Sequence, residues 1–133
     1  MIRMTVRFLT VLIGAAALIA APAAFAGDSA QEAATAAQHA GFAAKSPKIE
    51  QVHMHLHHAV NCLVGPDGRE FDPKQANPCK GKGNGAIPDA TDAGTRQHLM
   101  DALAIARSGL STYDMTAARQ AASDLHALLS SSR

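Results

Sequence analysis

Tryptophan is absent from this 133-residue chain, tyrosine occurs once and phenylalanine four times. So sparse an aromatic complement argues against a surface on which bases or sugars stack. Positive charge is not in excess either: twelve Lys plus Arg stand against eleven Asp plus Glu. No face is expected to carry the basic concentration that phosphate neutralisation requires, so nucleic acid is not an expected partner. Strand signals are nearly missing, because β-branched residues are scattered and nowhere alternate with polar ones over a strand's length. Catalytic signatures are missing too. There is no serine, histidine and acid grouping in a recognisable context, no paired-carboxylate motif and no dinucleotide loop, and no enzymatic activity is expected. The glycine-rich "GKGNG" from Gly81 to Gly85 lacks the preceding strand of a phosphate-binding turn and reads as loop.

One long hydrophobic run is present, and it lies at the N-terminus. Arg3 and Arg7 precede an apolar stretch from Phe8 to Ala21, and "AFA" at Ala24 to Ala26 fits small-residue cleavage before Gly27. The run is shorter than the roughly 20 residues a spanning helix needs, and it closes on Pro22. A cleaved secretory signal over residues 1–26 is therefore expected, with a single soluble domain over 27–133, located in the periplasm or secreted, and no membrane partner after cleavage. Loss of Arg3 and Arg7 leaves ten basic residues against eleven acidic ones, a net charge of −1 on the mature chain.

Two cysteines remain, Cys62 and Cys79. In an oxidising compartment a disulfide is the expected pairing, and in the chain-entropy model such a loop closure stabilises by roughly 3 kcal/mol. The competing reading is a pair of thiolate metal ligands.

Helix signals recur along the mature chain, which predicts an all-α fold. Asp28 or Ser29 caps a first helix in which Gly41 comes late enough to loosen or end it. Ser46 is expected to cap a second helix with Pro47 at its first position. In that helix Ile49, Val52, Leu56, Ala59, Val60 and Leu63 share one face at 100° per residue. From Gly65 to about Asp89 the chain is loaded with Gly, Pro, Asn and Asp and reads as a long irregular loop, tied by the disulfide to the second helix. Thr91 or Asp92 caps a third helix, with Leu99, Ala102, Leu103, Ala106 and Leu110 inward. Asp114 caps a fourth with Ala117, Ala118, Ala121, Leu125, Leu128 and Leu129 inward. An offset of 68 superposes Gly41 on Gly109, Ser46 on Asp114 and His58 on His126. This reads as a duplicated helical hairpin, and two such hairpins predict an antiparallel four-helix bundle.

Against this background "QVHMHLHHAVNCL", Gln51 to Leu63, places four histidines within six positions. His53 and His57 lie one turn apart at the border of the apolar face, a spacing at which two imidazoles hold one ion. His55 and His58 project from the other side. If the first hairpin turns near position 46, His39 faces His53, each seven residues from the turn; if the second turns near 112, His98 faces His126, each fourteen away. Asp101, one turn from His98, is a further oxygen ligand. Two metal sites are therefore expected, one from His39, His53 and His57 and another from His98, His126 and Asp101.

The segment "HLMDALAIARSGLSTYDMTAARQAASDLHALL" resembles the His-Ala-Leu hairpins of the small periplasmic metal-binding proteins, histidine-bearing four-helix bundles. The likeness spans mainly Arg96 to Leu129 and more loosely Ala36 to Leu63. It implies reversible binding of divalent copper, nickel or zinc, with His98 and His126 as the best-matching positions. The chain departs from that pattern in its fewer histidines on the third and fourth helices and in its long cysteine-bearing loop. Two alternatives stand beside it. One is a non-covalent haem or electron-transfer bundle, although no C-x-x-C-H occurs and slim alanine-rich helices leave little room for a porphyrin. The other is a metal-free interaction or stress-related module whose histidines act as pH-sensitive charges.

Overall fold

The computed structural model describes residues 27–131; the expected signal segment, 1–26, lies outside them. The described residues are all-helical, with five helices and no strand: α1 (Ser29–Lys45), α2 (Ile49–Val64), α3 (Ala86–Asp89), α4 (Ala93–Leu110) and α5 (Met115–Ser130). None of these helices is long and apolar enough to cross a membrane.

Aspartates open three of the four long helices. Asp28 accepts the Gln31 N–H, Asp92 the Thr95 N–H and Asp114 the Ala117 N–H, each satisfying an amide that the helix leaves unpaired. The second helix departs from expectation. Ser46 is not its N-cap but the C-cap of α1: its Oγ donates to Phe42 O at 2.9 Å and its backbone N–H to Ala43 O at 3.1 Å. The reason is Pro47, whose ring disfavours helical backbone at the residue before it, so Ser46 is extended and α1 ends at Lys45. Helix α2 then starts at Ile49, with Lys48 as a cap that offers no side-chain bond. Nor does Gly41 end α1. A Cβ there would lie 3.3 Å from Nδ1 of His126, so the glycine admits the α5 ring instead of breaking the helix.

The core is aliphatic and alanine-rich. Helix α1 contributes Ala36, Ala37, Ala40 and Ala43, and α2 contributes Val52, Leu56, Ala59, Val60 and Leu63. Leu99, Ala102, Leu103 and Ala106 face inward from α4, while the α5 stripe is Ala118, Ala122, Leu125 and Leu129. Ala117 is exposed, which turns the α5 stripe slightly from its expected setting. Helix α1 packs chiefly on α2 and α5, and α4 on α5 and α2. Gly109 makes both α4 contacts close: a Cβ there would stand 2.8 Å from Leu56 Cδ1 of α2 and 3.1 Å from Ala121 Cβ of α5.

The long loop between α2 and α4 is irregular apart from α3, and it is closed on itself. Cys62 and Cys79 form the expected disulfide, with Cα atoms 5.2 Å apart. Gly65, at φ 70°, terminates α2, and Gly85, at φ 116°, packs against it so tightly that a Cβ on Gly85 would meet Gly65 N at 2.5 Å. Inside the loop lies Asn61, fully buried. Its Nδ2 donates to Asp72 O at 3.0 Å and Ala76 O at 3.1 Å, while its Oδ1 accepts the Asp72 N–H at 2.9 Å. Outside, Arg107 of α4 forms a two-pronged pair with Glu70.

Truncating Asn61 removes three part-buried hydrogen bonds to the Asp72 and Ala76 backbone, each with a net contribution of about 0.5–1.5 kcal/mol. Asn61→Ala should therefore lower the urea-unfolding free energy by about 2 kcal/mol or more with the disulfide intact. Hydrogen exchange should accelerate at Asp72 while the α4 and α5 core amides stay protected. A substitution that leaves both readouts unchanged would show that the loop is held by the disulfide alone.

Candidate metal centre

Three imidazoles meet where α1 crosses α2. His39 comes from α1, and His55 and His58 come from successive turns of α2. One ring nitrogen from each lies within 4.8 Å of the other two, and this is the sole group of three or more such ligands among the described residues. His39 Nδ1 stands 3.4 Å from His55 Nδ1. That matches the separation, about 3.4 Å, of two nitrogens bound at 2.0–2.1 Å to a tetrahedral ion. The ring centroids are 5.1 Å apart for His39 and His58, and 5.6 Å for each of the other two pairs.

Burial sets the chemistry of these rings. His58 retains 9 % of its exposure, and its Nδ1 is buried without a hydrogen-bond partner. Desolvation pushes His39 down to about 4, with the His58 and His55 rings adding to it. Burial also lowers His55, and it lowers His58 with help from His55 and His57. All three are thus neutral at physiological pH, the form that offers a lone pair to a metal. Phe42, one turn along α1 from His39, packs its ring 5.5 Å from both His39 and His55 and covers one side of the group. Both cysteines are in the disulfide, so no thiolate is available to the site.

The residues singled out in the sequence are distributed differently. Only His39 of the first expected set belongs to the cluster. His53 points the other way, its Nε2 2.8 Å from Thr112 O and its ring against Tyr113. His57 faces the long loop, Nδ1 3.9 Å from Asp72 Oδ2. The second expected set is not brought together as a ligand group. His98 Nε2 lies 3.1 Å from Leu128 O, whereas His126 Nδ1 reaches across to Ala37 O of α1 at 2.8 Å. Asp101 accepts a hydrogen bond from Gln97.

The cause of the first exchange is the turn. With α1 ending at Lys45 and α2 beginning at Ile49, the hairpin is centred on Pro47, and the residue opposite His39 is His55, eight positions either side. Placing the turn one residue earlier selects His53. Pro47 itself was the signal that could have found this.

Compared with known proteins, the chain matches no family model, no curated protein and no solved structure.

The depressed histidines make stability depend on pH in a fixed direction. Unfolded His39 takes up a proton near the ordinary histidine value of 6.5, whereas the folded side chain resists until about 4, so the unfolded state binds more protons between those values. The stabilisation associated with neutral His39 is present above about 6.5 and is lost as pH falls towards 4. Between those limits the metal-free wild type should lose more urea-unfolding free energy than His39→Gln, measured with a chelator present. Parallel curves for the two proteins would count against buried neutral histidine.

Proposed function

We propose that the protein binds a divalent transition metal, copper, nickel or zinc, through His39, His55 and His58, and buffers or carries it in the periplasm or as a secreted protein. The observation that carries this reading is the convergence of three neutral imidazole nitrogens within 4.8 Å, one of them on a ring whose Nδ1 is buried and unpartnered. Imidazole suits all three ions, and the Irving–Williams order favours Cu(II) among them. Three protein ligands leave a fourth position for a solvent molecule or an exchanging ligand, an arrangement suited to reversible handling of the ion. The reading is of a binding protein and not of an enzyme. In the same reading α1, α2, α4 and α5 are the antiparallel four-helix bundle that the two-hairpin pattern predicts, and residues 1–26 are removed on export. The resemblance of Arg96 to Leu129 to the small periplasmic metal-binding proteins supports it too, although here the ligand group lies on the first hairpin.

Calorimetric titration of the mature, untagged protein with Cu(II), Ni(II) and Zn(II) at pH 7 tests the assignment. At least one ion should bind with a dissociation constant below the millimolar range. Removing one ligand of a three-histidine site should weaken binding by about tenfold or more, so His39→Ala and the His55→Ala/His58→Ala pair should both show that loss. His53→Ala/His57→Ala and His98→Ala/His126→Ala should retain wild-type affinity if they fold. Binding no tighter than millimolar, or loss in the second group of variants and not the first, would overturn it.

A further inference from the structure

A second polar cluster lies at the start of α1, where the histidine centre does not reach. Glu32 keeps 1 % of its exposure, its Oε1 accepts the Gly85 N–H at 3.0 Å, and its Oε2 is buried with no hydrogen-bond partner. Beside it is Asp89, whose carboxylate accepts from Asn84 N at 2.7 Å and from Asn84 Nδ2 at 3.0 Å. Burial pushes Glu32 up to about 7, opposed by the Gly85 hydrogen bond and reinforced by Asp89 and Asp28. When Glu32 is protonated it shares that proton with Asp89; when both are ionised, two carboxylates and the buried Oε2 at one place call for a cationic donor. Lys82, which lies just before Gly83, directs its Nζ to Thr35 Oγ1 at 2.8 Å.

Gly27 lies against this cluster. A Cβ on Gly27 would fall 1.7 Å from Asp89 Oδ2 and 2.7 Å from Gly83 Cα, and one on Gly83 would fall 2.2 Å from the same oxygen. Neither residue tolerates a side chain there. Because a residue's own nitrogen lies about 2.5 Å from its Cβ position, the Gly27 nitrogen is within about 4 Å of Asp89 Oδ2.

We propose that the carboxylates of Asp89 and Glu32 bind a primary ammonium group, and that the occupant is the α-ammonium of Gly27 released when the leader is removed. The proposal rests on the reading that cleavage falls between Ala26 and Gly27. Hydrolysis of that amide takes up one water, leaves a carboxylate on Ala26 and leaves a protonated amine on Gly27. A neutral amide with one N–H thereby becomes a cation with three donors at the mouth of the acidic cluster. The positive pole of α1 opposes a cation at this end, but the Asp28 cap and the two carboxylates outweigh half an elementary charge. Maturation then adds an ionic tie between the start of α1 and the segment Gly83–Asp89 to the hydrogen bonds and the Ala86 packing that already join them.

The test begins with the intact mass of protein exported from the full-length chain, which reads the cleavage position independently of any contact. Chains beginning at Gly27 and at Ala26 are then compared. The Gly27 chain should melt higher by about 4 °C or more, and the difference should vanish in Asp89→Asn. The Gly27 amine should titrate about one unit or more above the ordinary 7.7–8.0, read by nitrogen-15 NMR on the wild type, which needs no variant to fold. Gly27→Ala should lose the advantage because its methyl has no room. Equal melting temperatures with an ordinary amine titration would overturn the latch and mean that Glu32 and Asp89 share a proton. A different exported start would overturn the cleavage reading and the latch with it, leaving the histidine centre untouched.

Discussion

The alanine face of α1 is the constraint on which the other features depend. Ala36, Ala40 and Ala43 are fully buried and Ala37 nearly so, which gives this helix almost no side-chain bulk toward its neighbours. Helix separation is set by the side chains at the contact, so small residues allow α2 and α5 to approach near the lower end of the usual 8–10 Å. Close approach matters because α1 carries features that act across a helix boundary. His39 must reach His55 and His58, the Gly41 notch must admit His126, and Glu32 must reach Gly85. A larger residue at the fully buried Ala40 would push α1 away from its neighbours, and packing of this density does not absorb added volume without backbone movement.

The segment between α2 and α4 solves a different problem. An irregular stretch of this length is expensive in conformational entropy unless its ends are held, although closure entropy grows only slowly with length. Here the disulfide, the Gly65–Gly85 contact and the three hydrogen bonds of Asn61 act at three separate levels of the loop. Each also needs the helix end that precedes it, since Asn61 and Cys62 are α2 residues. The loop thereby holds its last part, Gly83 to Asp89, against α1, and that is what brings Asp89 beside Glu32. A connection that reads in sequence as a tethered irregular loop serves as a third wall of the fold.

How much of this was legible follows from which interactions are local. The aspartate caps were readable because a cap joins residues three apart, and the inward faces of α2 and α4 because periodicity is local too. The disulfide followed from the cysteine number and the expectation of export. Contacts across a turn were less legible: a one-residue error in the centre of the first hairpin exchanged His55 for His53, and only the backbone restriction imposed by Pro47 separates the two. Glu32 and Asn61 were not legible at all. A glutamate in the first turn of a helix reads as a solvated residue favourable to the dipole, and nothing local announces that Gly85 will arrive 53 positions later to bury it.

The seven histidines separate into three kinds by what their nitrogens meet. His53, His98 and His126 each direct a ring nitrogen at a backbone carbonyl from another segment, and such a bond fixes the ring and its tautomer while tying two elements together. His57 faces a carboxylate. His39, His55 and His58 instead direct nitrogens toward one another, and three neutral imidazoles cannot satisfy one another fully. Each has one donor and one acceptor, and the buried Nδ1 of His58 is left over. Protonation would supply a donor, but it puts a charge where burial opposes it and beside rings that repel a second one, which is why His39 resists it down to about 4. A divalent ion would meet one nitrogen of each ring at once, and the half-buried setting of His39 and His55 leaves solvent access for its remaining coordination. The feature that is poorest for the metal-free protein, a buried His58 Nδ1 left over beside a single His39–His55 hydrogen bond, is the one that ligation would relieve.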